Sequence, residues 1–524
     1  HHAKVINRLG KIEDGTTTSD FEEEEVKRQS SVQLSLMKCP WNGTKINILD
    51  APGYADFRGE VVSVMHVADS AVMVVSAAAG VEVGTQQMWH AADERGMPRL
   101  VFVNKMDREN ADFQRAMDAL VDAFGRKCVA THLPIGAEAE FSRVISVLDE
   151  SADVPDEMTA QVEAAREALV EAAAEADDSL TEKYLEGETL TSDEIINGLK
   201  QRVATGDIVP VLVGSATAEI GVSELMDAIV GMLPSPSQVA PVSAEGGPDG
   251  DEAPLPCDPS GPLAAFTFKT SADPFVGKLS YLKIYSGTLK ADSQVWNSNK
   301  NEQERIGQLF EVTGKTQDAV SQLEAGDIGA VAKLNSVVTG DTLATKERPL
   351  VLGGMQFPSP VYLVSVYPSS KADLDKMTSS LARIGEEDPS LVISRDPDTL
   401  ELLLGGLGDT HVEVAAEKMK RKFGVEIDLH QPIVPYKETI VGAAKVEYRH
   451  KKQTGGHGQF GHVWLEVQPL PRGEGFEFTQ KVVGGSVPRE YIPAVEKGAR
   501  NALTDGVIAG FPVVDLKATL VDGS

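Results

Sequence analysis

Cysteine is scarce in this sequence, which has three in 524 residues, and the three lie far apart. No C-x-x-C pair is present, so neither a disulfide framework nor a cysteine zinc site is expected. Long apolar runs are also missing, since the longest, at about 71–81, is too short to span a bilayer. These absences predict a cytoplasmic protein without a membrane partner.

Basic residues are outnumbered, with 49 Lys and Arg against 79 Asp and Glu, which gives a net charge of −30. A chain this acidic is not expected to coat nucleic acid indiscriminately, because phosphates would repel it. The imbalance is uneven, however, since residues 436–524 carry 11 basic and 10 acidic side chains. This C-terminal segment is therefore the best candidate for any contact with nucleic acid.

Three short apolar runs, at 45–49, 71–75 and 100–103, alternate with segments of helical length. Buried strands that alternate with helices predict a mostly parallel, doubly wound α/β sheet. Ligands of such sheets bind at the carboxyl ends of the strands, where Asp50 and Asn104 fall. These two residues are therefore the first candidates for a binding site.

Changes in composition divide the rest of the chain. Residues 149–200 are rich in Ala and Glu and predict inserted helices with an acidic face. Eight prolines and four glycines in residues 234–262 predict a linker, and the short alternating strands that follow predict an all-β barrel. The predicted parts are an α/β domain (1–233), the linker (234–262), the β-barrel (263–350), an α+β domain (360–434) and part of a further α+β domain (436–524).

The sequence Asn104-Lys-Met-Asp107 is the strongest motif, because N-K-x-D is rare by chance and here follows a predicted strand. The carboxylate of Asp107 can accept two hydrogens from the N1 and N2 edge of guanine. Adenine offers no such pair and would leave the buried charge unpaired. Asn104 would tie neighbouring loops together, and the stem of Lys105 would lie over the purine ring. An exposed polar loop is the alternative interpretation.

Two weaker motifs fit the same site. The small residues Gly214-Ser215-Ala216 follow the next predicted strand and would let a backbone amide reach the guanine O6. In Asp50-Ala-Pro-Gly53, Asp50 would hold Mg²⁺ through water and the Gly53 amide would meet a γ-phosphate. A strand followed by a Pro-Gly turn explains this last motif equally well.

A hydroxyl at Ser31, in the sequence Arg28-Gln-Ser-Ser-Val32, could also ligate Mg²⁺. The acidic residues 22–25 before it are most simply the solvated face of a helix. The phosphate-cradling motif G-x-x-x-x-G-K-[ST] occurs nowhere in the sequence. We expect that the sequence begins after this loop, since the first strand of the sheet is missing too. Nucleotide binding without the loop is the alternative.

Taken together, these motifs resemble those of bacterial elongation factor G and its paralogues, the translational GTPases that act on ribosomes. The resemblance extends beyond the nucleotide motifs to residues 273–287, 386–390, 406–411 and 453–462. It implies a P-loop GTPase-type sheet with a helical insert at about 133–205, then a β-barrel, a ferredoxin-like α+β domain and part of a ribosome-contacting fourth domain. It also implies GTP or GDP and Mg²⁺ as cofactors, the ribosome and ribosome recycling factor as partners, and a monomer.

Two departures from the family pattern concern catalysis. The family usually has D-T-P-G-H where this sequence has D-A-P-G-Y, and the family's histidine positions the attacking water. Tyrosine donates a hydrogen bond but has a longer reach and a different acidity. Likewise, Gln29 and Ser30 replace a glycine and an apolar residue beside Ser31. The sequence therefore predicts slow or differently triggered hydrolysis at Gly53 and Tyr54, as in an elongation-factor-G-like paralogue.

A basic, glycine-rich stretch in the C-terminal segment corresponds to the tip with which the family approaches the small ribosomal subunit. Cations lie just before a glycine loop whose backbone could approach RNA phosphates. An edge strand with protective lysines is the alternative. The residues expected to contact the ribosome are Lys451, Lys452, Gly455, Gly456, His457, Gly458 and Gln459.

The resemblance leaves the role on the ribosome open between tRNA–mRNA translocation and ribosome disassembly. A GTP-dependent ribosome-binding protein with little or no GTPase activity, or a ribosome-protection factor, is the alternative. His90, His132, His411 and His450 are scattered along the chain, and structural roles are expected for all four.

Overall fold

The computed structural model describes residues 1–149, 151–246, 251–273, 277–454 and 456–524. These residues form two compact units. The first unit contains residues 1–395 and 402–431, and the second contains residues 396–401 and 432–524. All residues predicted to bind nucleotide belong to the first unit.

An α/β domain opens the first unit, with short apolar strands between helices. Short 3-10 turns lie at Ala55–Phe57, Glu138–Glu140 and Asp156–Met158. The other elements are α1 (Glu23–Arg28), β1 (Ser35–Trp41), β2 (Thr44–Asp50), α2 (Arg58–Val67), β3 (Ala71–Ser76), α3 (Val83–Glu94), β4 (Arg99–Asn104), α4 (Phe113–Phe124), β5 (Cys128–Ala130), β6 (His132–Ile135), β7 (Arg143–Ser146), α5 (Thr159–Ala174), α6 (Asp178–Leu185), α7 (Ser192–Thr205), β8 (Val209–Val213) and α8 (Val222–Met232).

The predicted parallel sheet is confirmed, with the strand order β3-β4-β8-β5. All of its pairings are parallel. Strand β8 is buried along its whole length, as expected for an apolar run whose two faces are both covered. Because the strands are parallel, the loops that follow β4 and β8 leave the sheet at the same edge.

The first predicted strand does not join this sheet. Residues 45–49 lie in β2, which pairs antiparallel with β1 along its whole length and with no other strand in the described part of the chain. The reason is local, because Asn42 and Gly43 have φ angles of 45° and 75°, which suit a two-residue hairpin turn. Leu36 of β1 then joins the same apolar cluster as Phe310 of the following domain.

Helices form most of the predicted insert, as expected. Leu169 of α5 and Leu199 of α7 lie in one apolar core. The two helices approach so closely that a Cβ at Gly198 would lie 2.4 Å from the carbonyl oxygen of Ala173. The sequence did not predict the antiparallel hairpin of β6 and β7 that precedes these helices.

The all-β prediction for residues 263–350 is also confirmed, and residues 234–262, predicted as a linker, contribute two further strands. Alternate residues of its first long strand enter different apolar cores, Phe266 and Phe268 in one and Ala265 in the other, as the period of a strand requires. The strands are β9 (Val242–Glu245), β10 (Ala253–Leu255), β11 (Ala264–Asp273), β12 (Gly277–Ser286), β13 (Thr288–Lys290), β14 (Gln294–Asn297), β15 (Glu302–Arg305), β16 (Leu309–Thr313), β17 (Thr316–Val320), β18 (Gln322–Glu324), β19 (Ile328–Ala332), β20 (Thr342–Ala344) and β21 (Val351–Leu352). The largest sheet has the order β15-β14-β20-β11-β12-β19-β16-β17.

A βαββαβ domain completes the first unit, which is the element order of ferredoxin-like folds. Its elements are β22 (Tyr362–Pro368), α9 (Lys371–Glu387), β23 (Val392–Arg395), β24 (Leu402–Gly406), α10 (Asp409–Phe423) and β25 (Ile427–His430). The antiparallel sheet has the order β23-β24-β22-β25. Helix α10 is capped by Gly424, whose φ of 63° is the left-handed conformation that glycine favours.

The second unit is a smaller α+β assembly. Its elements are β26 (Ala444–Thr454), β27 (His457–Pro469), β28 (Phe476–Gln480), a 3-10 turn (Arg489–Tyr491), α11 (Ile492–Ala502) and β29 (Leu516–Gly523). The sheet has the order β26-β27-β29-β28, in which only β28 and β29 pair in parallel. No described helix in either unit has the length and apolarity needed to cross a membrane.

A buried polar pair fixes the start of α10 inside the ferredoxin-like domain. Nδ1 of His411 accepts the backbone N–H of Leu407 at 3.1 Å, and Nε2 lies 2.8 Å from the carboxylate of Asp388. Burial opposes ionisation of Asp388, but hydrogen bonds from His411 and Ser390 outweigh it and lower the pKa of Asp388 to about 2. His411 therefore has a structural role in this domain.

We expect Asp388→Asn to lower the thermal midpoint most above pH 4 and progressively less toward pH 2. The pKa of Asp388 is about 2 in the folded protein and near its ordinary value of 3.8 in the unfolded chain. Its stabilising contribution is therefore present above about pH 4 and is lost as the pH falls through this window. Thermal unfolding at a series of pH values measures the difference between the two proteins.

Glu426→Gln is the control for this experiment, because it removes an exposed partner of Lys420 and leaves Asp388 untouched. A destabilisation by Asp388→Asn that does not change between pH 5 and pH 2 would contradict the prediction.

Candidate functional site

The loops that follow β4 and β8 are joined by one amide side chain. The Oδ1 atom of Asn104 accepts the backbone N–H of Lys105 at 2.8 Å and that of Ala216 at 2.9 Å. Lys105 has a φ of 67°, so the chain turns sharply directly after the strand. Asn104 thus ties the two loops together, as the N-K-x-D motif predicted.

Asp107 is held by the second loop. The Oγ atom of Ser215 donates to Oδ1 of Asp107 at 2.6 Å and itself accepts the backbone N–H of Ala218 at 3.1 Å. Ser215 is fully buried, whereas 26% of the Asp107 side chain is exposed. Its other oxygen lies 3.9 Å from Nε of Arg108. The carboxylate is therefore fixed on one side and reachable from solvent on the other.

The backbone around Gly214 brings the two loops close together. The N–H of Met106 donates to the carbonyl oxygen of Gly214 at 3.2 Å, and the N–H of Gly214 donates to Val103 at 2.9 Å. A Cβ at Gly214 would lie 2.4 Å from the carbonyl oxygen of Ile220. Only glycine fits this position, so loop packing alone requires Gly214.

A second group of polar residues surrounds the end of β2. Ser31 donates its hydroxyl to Oδ1 of Asp20 at 2.7 Å. The side chain of Ser19 is hydrogen-bonded to Asp50, whose pKa is raised by burial despite this bond. The sequence had pointed to Ser31 and Asp50 but missed Asp20 and Ser19, which match no motif.

This second group fits a magnesium ion by its chemistry. Mg²⁺ prefers oxygen ligands and usually takes one or two carboxylates together with water and phosphate oxygens. Two carboxylates and two hydroxyls, from Asp20, Asp50, Ser19 and Ser31, supply such a set. This set contains only two carboxylates. Among the described residues, no group of three or more His, Cys, Asp or Glu side chains could hold a metal ion.

Gly53 and Tyr54 face solvent at the start of the turn Ala55–Phe57. A Cβ at Gly53 would meet no atom within 4 Å, so any need for glycine here would come from a ligand. The Tyr54 side chain is 55% exposed, and its ring centroid lies 6.3 Å from that of Phe57. The catalytic roles of Gly53 and Tyr54 therefore stay predictions.

The expectation of a solvated acidic helix face at residues 22–25 holds for the exposed Glu23 but is wrong for Glu24 and Glu25. Glu24 is 3% exposed and Glu25 is fully buried. The Glu25 carboxylate accepts the backbone N–H groups of Val32, Gln33 and Glu22 at 3.1–3.3 Å. Burial raises the pKa of Glu25 to about 7, although these bonds oppose the shift. The spacing of Glu22 and Glu25, a capping box at the start of α1, was the available signal.

The predicted ribosome-contacting residues lie at the tip of the hairpin formed by β26 and β27. Lys451 pairs with Phe460 and Lys452 with Gln459. Gly458 pairs with Gln453, and Gly456 has a φ of 87° in the connecting turn. His457 begins β27, and Gly455 lies outside the described residues.

Two cations of β26 lie over aromatic rings of β27 in this hairpin. The guanidinium of Arg449 lies 5.4 Å from the ring centroid of Phe460, and Nζ of Lys445 lies 5.5 Å from that of Trp464. Lys451 and Lys452 are exposed. The hairpin therefore presents positive charge and π surface, the two features that suit a nucleic acid.

Four family models match successive parts of the chain. They are the Elongation factor Tu GTP binding domain over residues 1–235, Elongation factor G domain 2 over 262–346, Elongation Factor G domain III over 357–431 and Elongation factor G domain IV over 432–524. The chain is also similar to the crystal structure of ttk003000868 from Thermus thermophilus, with 34% identity and a TM-score of 0.85. That match covers 100% of this chain and 77% of the Thermus chain.

We expect Asp107→Asn to weaken binding of guanine nucleotides by about 100-fold or more, because two hydrogen bonds to a charged acceptor are lost. The variant should instead favour xanthine nucleotides, since the Asn amide can donate to the O2 atom of xanthine. Fluorescent nucleotide titration, with unlabelled GTP and xanthosine triphosphate as competitors, measures both affinities.

Ser215→Ala serves as the graded control. It removes one hydrogen bond to Asp107 and keeps the carboxylate, so we expect a loss of about tenfold without a change in base preference. Unchanged guanine affinity in Asp107→Asn would show that this carboxylate does not read the base.

Proposed function

The chain belongs to the elongation factor G family of translational GTPases, and on this premise we propose that it acts on the ribosome as a GTP-dependent switch. GTP would further order residues 20–33 and 50–57 through added phosphate and magnesium contacts, and hydrolysis would remove these contacts. The observation that carries the proposal is the joined pair of loops in which Asn104, Asp107 and Ser215 contact one another or the opposite loop.

Base recognition is assigned to the open side of Asp107. Its carboxylate would accept from the N1 and N2 groups of guanine, while the hydrogen bond from Ser215 keeps it oriented. The stem of Lys105 would cover the purine ring. The backbone N–H of Ala216 is engaged by Asn104, so we assign Ala216 to tying the loops together rather than to reading O6.

Magnesium would be held by Ser31 and Asp50. Asp20 supports this assignment because it already accepts the Ser31 hydroxyl and so sets its orientation. When bound, the ion would neutralise negative charge on the nucleotide phosphates. Asp50 is half-buried, and burial raises the pKa of its carboxyl, so a bound cation would favour the charged form.

Hydrolysis is assigned to Gly53 and Tyr54. The Gly53 amide would face the γ-phosphate, and the Tyr54 hydroxyl would contact the attacking water. A phenol donates a hydrogen bond, whereas a neutral imidazole can also accept a proton from water. Because the Tyr54 side chain is largely exposed, its orientation would depend on the docked ribosome. We therefore expect slow or differently triggered hydrolysis.

Ribosome contact is assigned to the hairpin tip, through Lys451, Lys452 and the residues at 455–459. Exposed lysines beside a glycine turn can approach RNA phosphates closely. The proposed action is tRNA–mRNA translocation or ribosome disassembly, the latter with ribosome recycling factor as a partner, carried out by a monomer. Tyr54 favours one alternative, a GTP-dependent ribosome-binding protein with little catalysis.

We expect the complete protein to release phosphate from GTP slowly in the presence of 70S ribosomes, and Tyr54→His to raise that rate by at least about tenfold. Phosphate release with and without ribosomes, together with ribosome pelleting in the presence of GTP, measures catalysis and binding separately.

Tyr54→Phe is the matched control, because it keeps the ring and removes the hydroxyl. Strong ribosome stimulation of the unmodified chain would exclude the non-catalytic alternative. If neither the wild type nor Tyr54→His binds or responds to ribosomes, the proposed function is wrong.

A further inference from the structure

Helix α1 is too short to be stable without a partner. It has six residues, and isolated helices below about 12 residues are marginal in water. Its single aliphatic side chain, Val26, is 38% exposed. The order of the segment that leads to Ser31 must therefore come from polar contacts with another element.

The acidic half of the segment contacts one arginine of α10. Arg421 forms a two-pronged ion pair with Glu24, with its Nε and Nη2 atoms 2.9 and 3.0 Å from the two carboxylate oxygens. Arg421 also contacts the carboxylate of Glu22. The Glu24 side chain is almost fully buried, so this charged contact is shielded from water.

The basic end of the same segment contacts the same face of α10, one helical turn before Arg421. Nζ of Lys27 lies 2.6 Å from Oε1 of Glu417, and Arg28 contacts Oε2 of the same carboxylate. Positions 417 and 421 are four residues apart, so they lie on one face of the helix. The segment presents acidic then basic side chains, and this face of α10 presents the matching opposite charges.

A buried carboxylate transmits this docking to Ser31. Along α1, Glu25 lies between Glu24, which pairs with Arg421, and Lys27, which pairs with Glu417. The Glu25 carboxylate accepts the backbone N–H groups of the two residues directly after Ser31. Val32 also packs in a small apolar cluster with Phe57 and with Val414 of α10. The path of the backbone at Ser31 is therefore set by how α1 sits on α10.

We propose that Arg421 is a positioning residue, which holds residues 20–33 through Glu24 and Glu22 so that the Ser31 hydroxyl is presented at the nucleotide. The holding of the segment follows from contacts within the first unit. Only the claim that Ser31 then binds magnesium at the nucleotide rests on the proposed function. Arg421 would thus link the ferredoxin-like domain to the order of the magnesium-binding segment.

Hydrogen exchange of the full, nucleotide-free chain tests the holding directly. In Arg421→Ala we expect the amides of Val32 and Gln33 to exchange at least about tenfold faster, because the charge-assisted contacts to Glu24 are lost. Lys420→Ala is the matched control, since Lys420 lies next to Arg421 on α10 but pairs with Glu426, which follows the helix, so the variant leaves the segment untouched.

Two further variants separate positioning from general loss of structure. Arg421→Lys keeps the charge and removes the two-pronged geometry, so it should give an intermediate exchange rate. Glu24→Arg combined with Arg421→Glu reverses the pair and should restore part of the protection that Arg421→Glu alone loses. Equal exchange in wild type and Arg421→Ala, or equal acceleration by Lys420→Ala, would overturn the proposal.

Nucleotide binding supplies the second readout. Mg²⁺ should increase the affinity for a GTP analogue by a smaller factor in Arg421→Ala than in the wild type. In Lys420→Ala this factor should stay unchanged. If exchange accelerates at residues 32 and 33 in Arg421→Ala but the Mg²⁺ factor does not change, the holding by Arg421 stands and the proposed role of Ser31 fails. The two failures are thus distinguishable.

Discussion

One oxygen of the Glu60 carboxylate holds three distant segments of the first unit together. Oε2 accepts the backbone N–H of Leu34 at 3.0 Å and lies 2.8 Å from Nζ of Lys269. Glu60 belongs to α2, Leu34 leads into β1, and Lys269 lies in β11 of the all-β domain. A buried charge that loses its partner is strongly destabilising. Separating any one of these segments from the other two is therefore unfavourable. The arrangement of residues 20–33 beside residues 50–57 therefore depends on this carboxylate.

Helix α10 completes the same junction from the ferredoxin-like domain. Burial opposes the charge of Lys418, but the carboxylates of Glu60, Glu387 and Glu22 outweigh it and raise the pKa of Lys418. Phe57, three residues after Tyr54, packs edge-on against His411 with ring centroids 5.8 Å apart. A change in either of the segments proposed to contact the nucleotide would thus alter contacts with α10, which would give a physical route from nucleotide to domain arrangement.

The features that were predictable from sequence are local ones. The parallel strands follow from short apolar runs, and the tie made by Asn104 follows from a four-residue motif at a strand end. The pairing of β2 was missed because a two-residue turn with Asn42 and Gly43 competes with the sheet. The burial of Glu24 was missed for a different reason, since its partner Arg421 lies 397 positions away and no spacing rule connects them. Long-range charge pairs of this kind become visible only once the domains are packed.

The most direct test of the junction compares Glu60→Gln, Lys269→Met and the double variant by thermal unfolding of the full chain. We predict that each single variant lowers the midpoint of the transition more than the double variant does, because each single change leaves a buried group without its partner. Hydrogen exchange at the Leu34 amide should accelerate in Lys269→Met, where Glu60 loses its cation. Single effects that simply add in the double variant, with no change at Leu34, would contradict the central role given to the Glu60 carboxylate.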